Sequence, residues 1–567
     1  MKYSISYDNV LKHELKIELI VIDNDKPLTQ LLLPIWRPGR YEAANYAKNI
    51  TNLTVCNANG KNLELIKAGP SEWTINTEGV NEYTVSYNYF AFRMDAGSSW
   101  LDEDQLYINF INCMIYDPER INEPCQVEIS IPDHYKVACG MMQEGNILKA
   151  KDYYQLVDSP LIASNSLQCL EYRVENISFY VWVQGDNDLD HEKLVNDFKR
   201  FSEKQIEVME SFPEEDYHFL IQALPYSFYH GVEHGNSTVI TLGPGIELND
   251  SHLYKELLGV SSHELFHAWN ILKIRPIELM PYDFSKMPVF PTGYVAEGFT
   301  TYYGDLFLAR SGVFNTEQYF NELNKLFKRH FLNFGRLHNS VVESSLDLWF
   351  DGYQPSAPNK KSSIYVEGAM SALLLDLTIR KSTNNRESLD DVMRLLWRNY
   401  GEKGVGYTHE NVKEITAQIA NKVMDDFFKR FVESVEDKRE YLSEMLSYIG
   451  CELLEEKSNS ALERQLGIKL GGTDTTKNAV MLIVPGSIGE KYFSLKDELV
   501  QINGSSLEDL NLEIDYDVYH IKVKRNFKTV DLEMRPNDYF YLNEYKIVET
   551  KQPTEDQRSA FDSWLHR

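Results

Sequence analysis

His263-Glu264-Leu265-Phe266-His267 sits in a helical run that Pro276 closes. At i and i+4, two imidazoles stand on one helix face a turn apart, which suits two corners of a tetrahedral metal site. Glu264 lies on a neighbouring part of that face, within reach of a water at the metal. In a chain of 567 residues with 14 histidines, chance supplies this pattern in only about a few of every hundred sequences. The competing reading is a pair of core histidines, and a third ligand decides between them. Ala296-Glu297-Gly298-Phe299-Thr300-Thr301-Tyr302-Tyr303 opens a second helix after a run rich in Pro and Gly. Alone, a Glu at a helix start is a favourable dipole interaction. Beside the two histidines, Glu297 completes a His-His-Glu set with its fourth position open to water, the catalytic form of a zinc site.

Two further segments flank this centre. His230-Gly231-Val232-Glu233-His234-Gly235-Asn236-Ser237-Thr238 precedes a strand. A Gly-x-Glu turn there would present an acid beside a peptide lying along a sheet edge, whereas spacing alone favours a polar loop. Ile364-Tyr365-Val366-Glu367-Gly368-Ala369 opens an apolar helix. Tyr365 there is placed either to donate its phenol to an oxyanion or simply to pack.

Around these segments the chain divides into three patterned regions. At about 150 residues per domain, its length implies three or four domains. Residues 1–170 alternate apolar and polar side chains in short runs such as Leu15–Val21 and Glu82–Tyr87, which predicts a sandwich of strands. Residues 171–450 begin with strands near 178–183, 217–224 and 237–242 and a helix near 190–211. They then turn almost wholly helical, with helices expected near 252–273, 296–311, 315–332, 364–381, 387–399, 409–420 and 424–434, an α+β layout. Residues 455–535 return to short strands, closing with a hairpin of 520–524 and 529–534. The tail, 536–567, is polar with a weak helix at its end.

Charge narrows the function. Lys+Arg total 57 against 85 for Asp+Glu, a net charge of −28. That opposes both nucleic-acid binding and docking on an anionic membrane. No run approaches 18 uninterrupted apolar residues, and the first residues lack the apolar stretch of a signal peptide. The expectation is a cytoplasmic protein, or a periplasmic or secreted one whose sequence has been trimmed. Six widely spaced cysteines with no CxxC pair read as free thiols.

Taken together, these residues resemble the glycyl aminopeptidase family of zinc peptidases, a gluzincin branch. His263-Glu264-Leu265-Phe266-His267-Ala268-Trp269-Asn270 with Lys273-Ile274-Arg275-Pro276 is similar to that family's zinc helix, and Ala296–Thr300 to its third-ligand segment. Gly231-Val232-Glu233-His234 is similar to its Gly-Leu-Glu-His segment. Tyr365-Val366-Glu367-Gly368-Ala369 resembles Tyr-x-Lys-Gly-Ala, with Glu367 in place of the lysine. Pro34-Ile35-Trp36-Arg37-Pro38-Gly39-Arg40-Tyr41 resembles a stretch of the N-terminal β domain. Gln465–Ile468 and Val500–Gly504 resemble parts of an appended PDZ domain.

The resemblance implies a multidomain α+β chain. A β-sandwich-like domain (1–170) precedes a thermolysin-like α+β peptidase domain with a helical bundle (171–450), a PDZ-like β domain (455–535) and a tail (536–567). It implies one Zn²⁺ per chain on His263, His267 and Glu297, with Glu264 as general base and Tyr365 as oxyanion donor. Glu233, on the segment that starts at Gly231, would bind the free amine of a peptide substrate. The activity implied is removal of small N-terminal residues, glycine or alanine. An endopeptidase of the same chemistry and a non-catalytic PDZ-type peptide binder are the alternatives. The partners implied are peptides with a free N-terminus and, at the PDZ-like groove, a peptide C-terminus or another part of this chain; nucleic acid and membrane are not expected.

Overall fold

The alternation in Glu14–Val21 buries Leu15, Ile17, Leu19 and Val21 and leaves the intervening side chains facing outward, the pattern of a strand with one wet face. A computed structural model, describing residues 1–351, 357–472, 478–507 and 512–567, shows where such strands assemble. In the N-terminal region a seven-stranded sheet is centred on Lys2–Ser6, Glu14–Val21 and Tyr83–Phe90, beside a four-stranded and a three-stranded sheet. Residues of all three sheets share one apolar core. That core continues across the domain boundary, taking in Ile271, Phe284, Ala296 and Ile364. The β-rich domain is therefore packed against the very segments that carry the metal and tyrosine motifs.

The peptidase region is built on a five-stranded sheet. Its strands are β1 (Gln168–Val174), β2 (Ile177–Gln184), β3 (Asp216–Ala223), β4 (Phe228–His234) and β5 (Ser237–Gly243), in the order β1-β2-β3-β5-β4. Pairing of Gln168–Val174 with β2 starts this sheet just before residue 171. β4 is an edge strand, antiparallel to β5 from Phe228 to His234. Gly231 and Glu233 thus lie within a strand, in place of the turn or loop expected from sequence; the turn falls at Gly235-Asn236.

The helices follow. α1 (His191–Met209) backs the sheet, and α2 (Ser251–Phe266) runs beneath β4. A π-helical turn, Tyr294–Phe299, leads into α3 (Thr300–Arg310), then α4 (Thr316–Phe331) and α5 (Ile364–Thr383). α2 ends at Phe266, short of the expected residue 273, because the chain leaves helical geometry after His267 and Ile271 adopts φ 104°. No helix among the described residues is long and apolar enough to cross a membrane.

Beyond α6 (Arg439–Tyr448), a separate sheet spans Ile468–Met534 around its own small core of Leu466, Ile468, Val480, Leu499, Ile521 and Val523. Its last two strands, Tyr519–Arg525 and Lys528–Met534, form the expected hairpin. The tail does more than expected. Glu544–Glu549 pairs with Cys451–Glu456, and α7 (Glu555–Trp564) docks on the bundle. There Trp564 is fully buried and its indole N–H donates to the Tyr302 hydroxyl (2.9 Å). All six cysteines are free.

Candidate metal centre and active site

α2 carries His263 and Glu264 in its last turn, and His267 follows at its C-cap. The Nε2 atoms of the two histidines lie 3.0 Å apart. Glu297 comes from the π-helical turn, a geometry often found at functional sites. Its Oε2 lies 3.4 Å from His267 Nε2 and 3.9 Å from His263 Nε2. Ligand atoms about 2.0–2.1 Å from a tetrahedral zinc stand roughly 3.3 Å apart, so the three separations bracket that value.

The orientation of the rings suits the same purpose. His267 Nδ1 lies 2.8 Å from the backbone carbonyl of Asn270. A carbonyl only accepts, so Nδ1 is protonated, and Nε2 faces Glu297. Gly304 of α3 brings that helix onto α2, where an added Cβ would lie 3.2 Å from His263 Cα.

Two more carboxylates complete the cluster. One oxygen each from Glu233 and Glu264 lies within 4.8 Å of His267 and of the other. Both residues are buried. Among the described residues, Glu233 Oε1 and Glu264 Oε2 find no hydrogen-bond partner. Burial raises the pKa of Glu264 well above the carboxylate range, helped by Glu233 and Glu297 and opposed by His267. Burial likewise raises Glu233, again against His267. Burial, then His267, pushes His263 far down. Burial opposes protonation of His267 too, yet Glu297, Glu233 and Glu264 lift it to about 10. Three buried carboxylates converging on imidazole nitrogens could hold a metal ion, and this nitrogen and oxygen donor set fits zinc.

Close backbone approaches set the walls. A Cβ on Gly231 would lie 2.4 Å from Glu264 Oε1 and 2.6 Å from Val260 Cγ2, so β4 passes close over the carboxylate and α2. The Pro38-Gly39 turn of the N-terminal domain reaches the same cluster: with φ +74°, Gly39 presents a face where a Cβ would lie 2.4 Å from Glu233 Oε2. Sequence reading assigned that turn to the N-terminal domain and gave it no part in the site. Its signal was the conjunction of Pro-Gly with two arginines, which has no local link to residue 233.

A cleft of about 550 Å³ contains all of these groups, with Tyr365 and Tyr229 on its walls. Tyr365 is half-buried in the first turn of α5. Glu367, two residues on, points elsewhere: it is buried, 2.7 Å from His330 Nδ1 and 3.2 Å from Lys438 Nζ. A larger cavity, about 750 Å³, between Tyr154 and Tyr282 contains none of the expected catalytic or metal residues.

Known proteins resemble the chain in sequence and in fold. The model of the peptidase M61 N-terminal domain matches residues 2–165, and that of the M61 glycyl aminopeptidase matches residues 256–371. No curated protein sequence matches the chain. A crystal structure of an aminopeptidase N family protein from Idiomarina loihiensis shares the fold at a TM-score of 0.90 and 24% identity, covering 100% of this chain and 99% of that one. An M1 zinc metallopeptidase from Deinococcus radiodurans aligns at a TM-score of 0.47 and 10% identity, over 77% of this chain and 94% of the other. A mutant of an M1 zinc metallopeptidase from that organism, bound to a Tyr-Ser-Ala substrate, aligns at 0.44 and 10%, over 75% and 92%. With matches to the models of both domains, the chain is a peptidase that resembles the M61 glycyl aminopeptidase family.

Proposed function

We propose that the chain is a zinc-dependent aminopeptidase that removes small N-terminal residues, glycine or alanine, from peptides. The observation that carries this reading is the convergence of His263, His267 and Glu297, with separations of 3.0–3.9 Å, beside the unpartnered carboxylate oxygens of Glu264 and Glu233. Held by those three residues, zinc would supply Lewis acidity, polarising the scissile carbonyl and acidifying water.

The chain's own groups do the rest. Glu264 takes the proton of the attacking water and returns it to the leaving amine. The Tyr365 hydroxyl donates to the developing oxyanion. Glu233 Oε1, buried and without a partner among the described residues, accepts the substrate's α-ammonium, which fixes the first residue at the metal. Gly39 closes the cleft behind that carboxylate.

The C-terminal sheet we read as a PDZ-like module. Support comes from Gln465–Gly467, which lead directly into the edge strand Ile468–Gly471, whose outer side pairs with no other strand among the described residues and could take a peptide by strand addition.

The test is metal content and hydrolysis of an alanyl chromogenic substrate, before and after chelation and after zinc is restored. About one zinc per chain and activity that follows the metal are expected. Undiminished hydrolysis by a His263→Ala, His267→Ala double variant would overturn the assignment.

A further inference from the structure

We infer that Asn270 is the positioning residue of the metal centre, joining a ligand of one helix to a ligand of the next through its two polar ends. This inference rests on the zinc reading above.

Asn270 is fully buried. Its backbone carbonyl accepts from His267 Nδ1 at 2.8 Å, which sets the tautomer and plane of that ring. Its side-chain amide points the other way, into the third-ligand segment. Nδ2 donates to the Val295 carbonyl at 2.8 Å, to Thr300 Oγ1 at 3.0 Å and to the Ala296 carbonyl at 3.3 Å. Glu297 lies between those acceptors in sequence. The Thr300 hydroxyl itself donates to the Ala296 carbonyl at 2.7 Å, closing a small network around the π-helical turn.

A π turn leaves carbonyls out of ordinary helical register, and here a side chain from the segment just beyond α2 engages them. One residue therefore fixes the imidazole of His267 and the backbone that carries Glu297. It acts beside two other links between the segments, the Ser262 hydroxyl donating to the Gly304 carbonyl at 2.7 Å and Thr300 Oγ1 lying 3.5 Å from His267 Nδ1.

The backbone on the far side is strained to make this possible. Ile271 has φ 104°, a region that a β-branched side chain rarely adopts. Such conformations persist where the surroundings over-determine them, and they gather at functional sites. Ile271 is buried, and Leu272 N–H and Ile274 N–H bond back to the carbonyls of His267 and Trp269 (3.3 and 2.8 Å). The left-handed step turns the chain sharply after Asn270, where a continued helix would carry it straight on. Helix α2 ends where it does so that the next residues can serve its own ligand.

Groups that orient metal ligands typically change metal affinity by about 10–100-fold when removed. The experiment measures the zinc dissociation constant of the full-length chain by competition with a chelator of known affinity. It also records the melting temperature of the metal-free protein. Asn270→Ala should weaken zinc binding by about 10–100-fold. Thr300→Val keeps the shape and loses one acceptor, which should cost about two- to tenfold. Thr300→Ser keeps the hydroxyl and should bind zinc as the wild type does. If Asn270→Ala does not fold, the two threonine variants decide the matter alone.

Wild-type zinc affinity in both Asn270→Ala and Thr300→Val overturns the inference, even if their metal-free melting temperatures fall, because the residue would then serve packing only. That outcome leaves the zinc reading intact. A wild-type chain that binds no zinc overturns both.

Discussion

Gly298 of the third-ligand turn and Gly368 of α5 meet backbone to backbone: a Cβ built on Gly298 would lie 2.3 Å from Gly368 Cα. The Cβ of the reverse substitution would lie 2.7 Å from Gly298 Cα. This contact brings the helix that bears Tyr365 against the turn that bears Glu297, so the two sides of the cleft share one pivot. Gly298→Ala or Gly368→Ala should destabilise the fold by about 1–3 kcal/mol through overpacking. Denaturant unfolding checks it, and unchanged midpoints in both variants would show that the crossing is looser than described.

Glu264→Gln should keep zinc and lose about 10²–10⁴ in kcat, because an amide matches the shape of the acid but accepts no proton. Metal analysis beside steady-state kinetics separates this from simple loss of the ion.

Tyr365→Phe should lower kcat by about 10²–10³ with little change in KM, since the hydrogen bond forms only as charge develops on oxygen. A change confined to KM would reduce Tyr365 to a wall of the cleft.

Stability should carry a pH signature from Asp305, which lies on α3 at the cleft. Burial foremost, then Glu322 and Glu256, against Lys325, raise its pKa from 3.8 to about 7. Between those values the folded chain holds a proton that the unfolded chain has released, so stability falls as pH rises from about 4 to about 7 and then levels. Asp305→Asn removes that dependence. Its melting temperature relative to the wild type should climb across this window, and a difference constant with pH would contradict the assignment.

How much of this was legible beforehand depends on the reach of each interaction. The two histidines, Glu264 and the Tyr365 helix could be read because their relations are local, set by helical periodicity and spacing. Glu297 could be read as a partner only because a second helix opens with an acid at a suitable remove. The strand that holds Glu233 was hidden. A single glycine among histidines resembles a loop, and its extended form comes from pairing with Ser237–Gly243 along the whole edge. Gly39 reaches Glu233 from a different domain, a contact without any sequence signature. The early end of α2 was equally hidden, since Ala268-Trp269-Asn270-Ile271 has ordinary helix composition and the break at Ile271 is enforced by tertiary contacts. The tail looked polar because its burial rests mainly on Trp564, Ala560 and Ile547 meeting the bundle.

The central claim is that Glu233 makes this metal centre an exopeptidase. The measurement is kcat/KM for a matched pair, Ala-X and acetyl-Ala-X, on the zinc-loaded wild type and on Glu233→Gln. A charged, partly buried hydrogen bond is worth about 1.5–3 kcal/mol, or roughly 10–150-fold. The variant should lose that factor on Ala-X, keep its zinc, and lose little on acetyl-Ala-X, which the wild type should already cleave poorly. Equal losses on both substrates, or rapid wild-type cleavage of the acetylated one, would contradict the amine-anchor role and favour an endopeptidase.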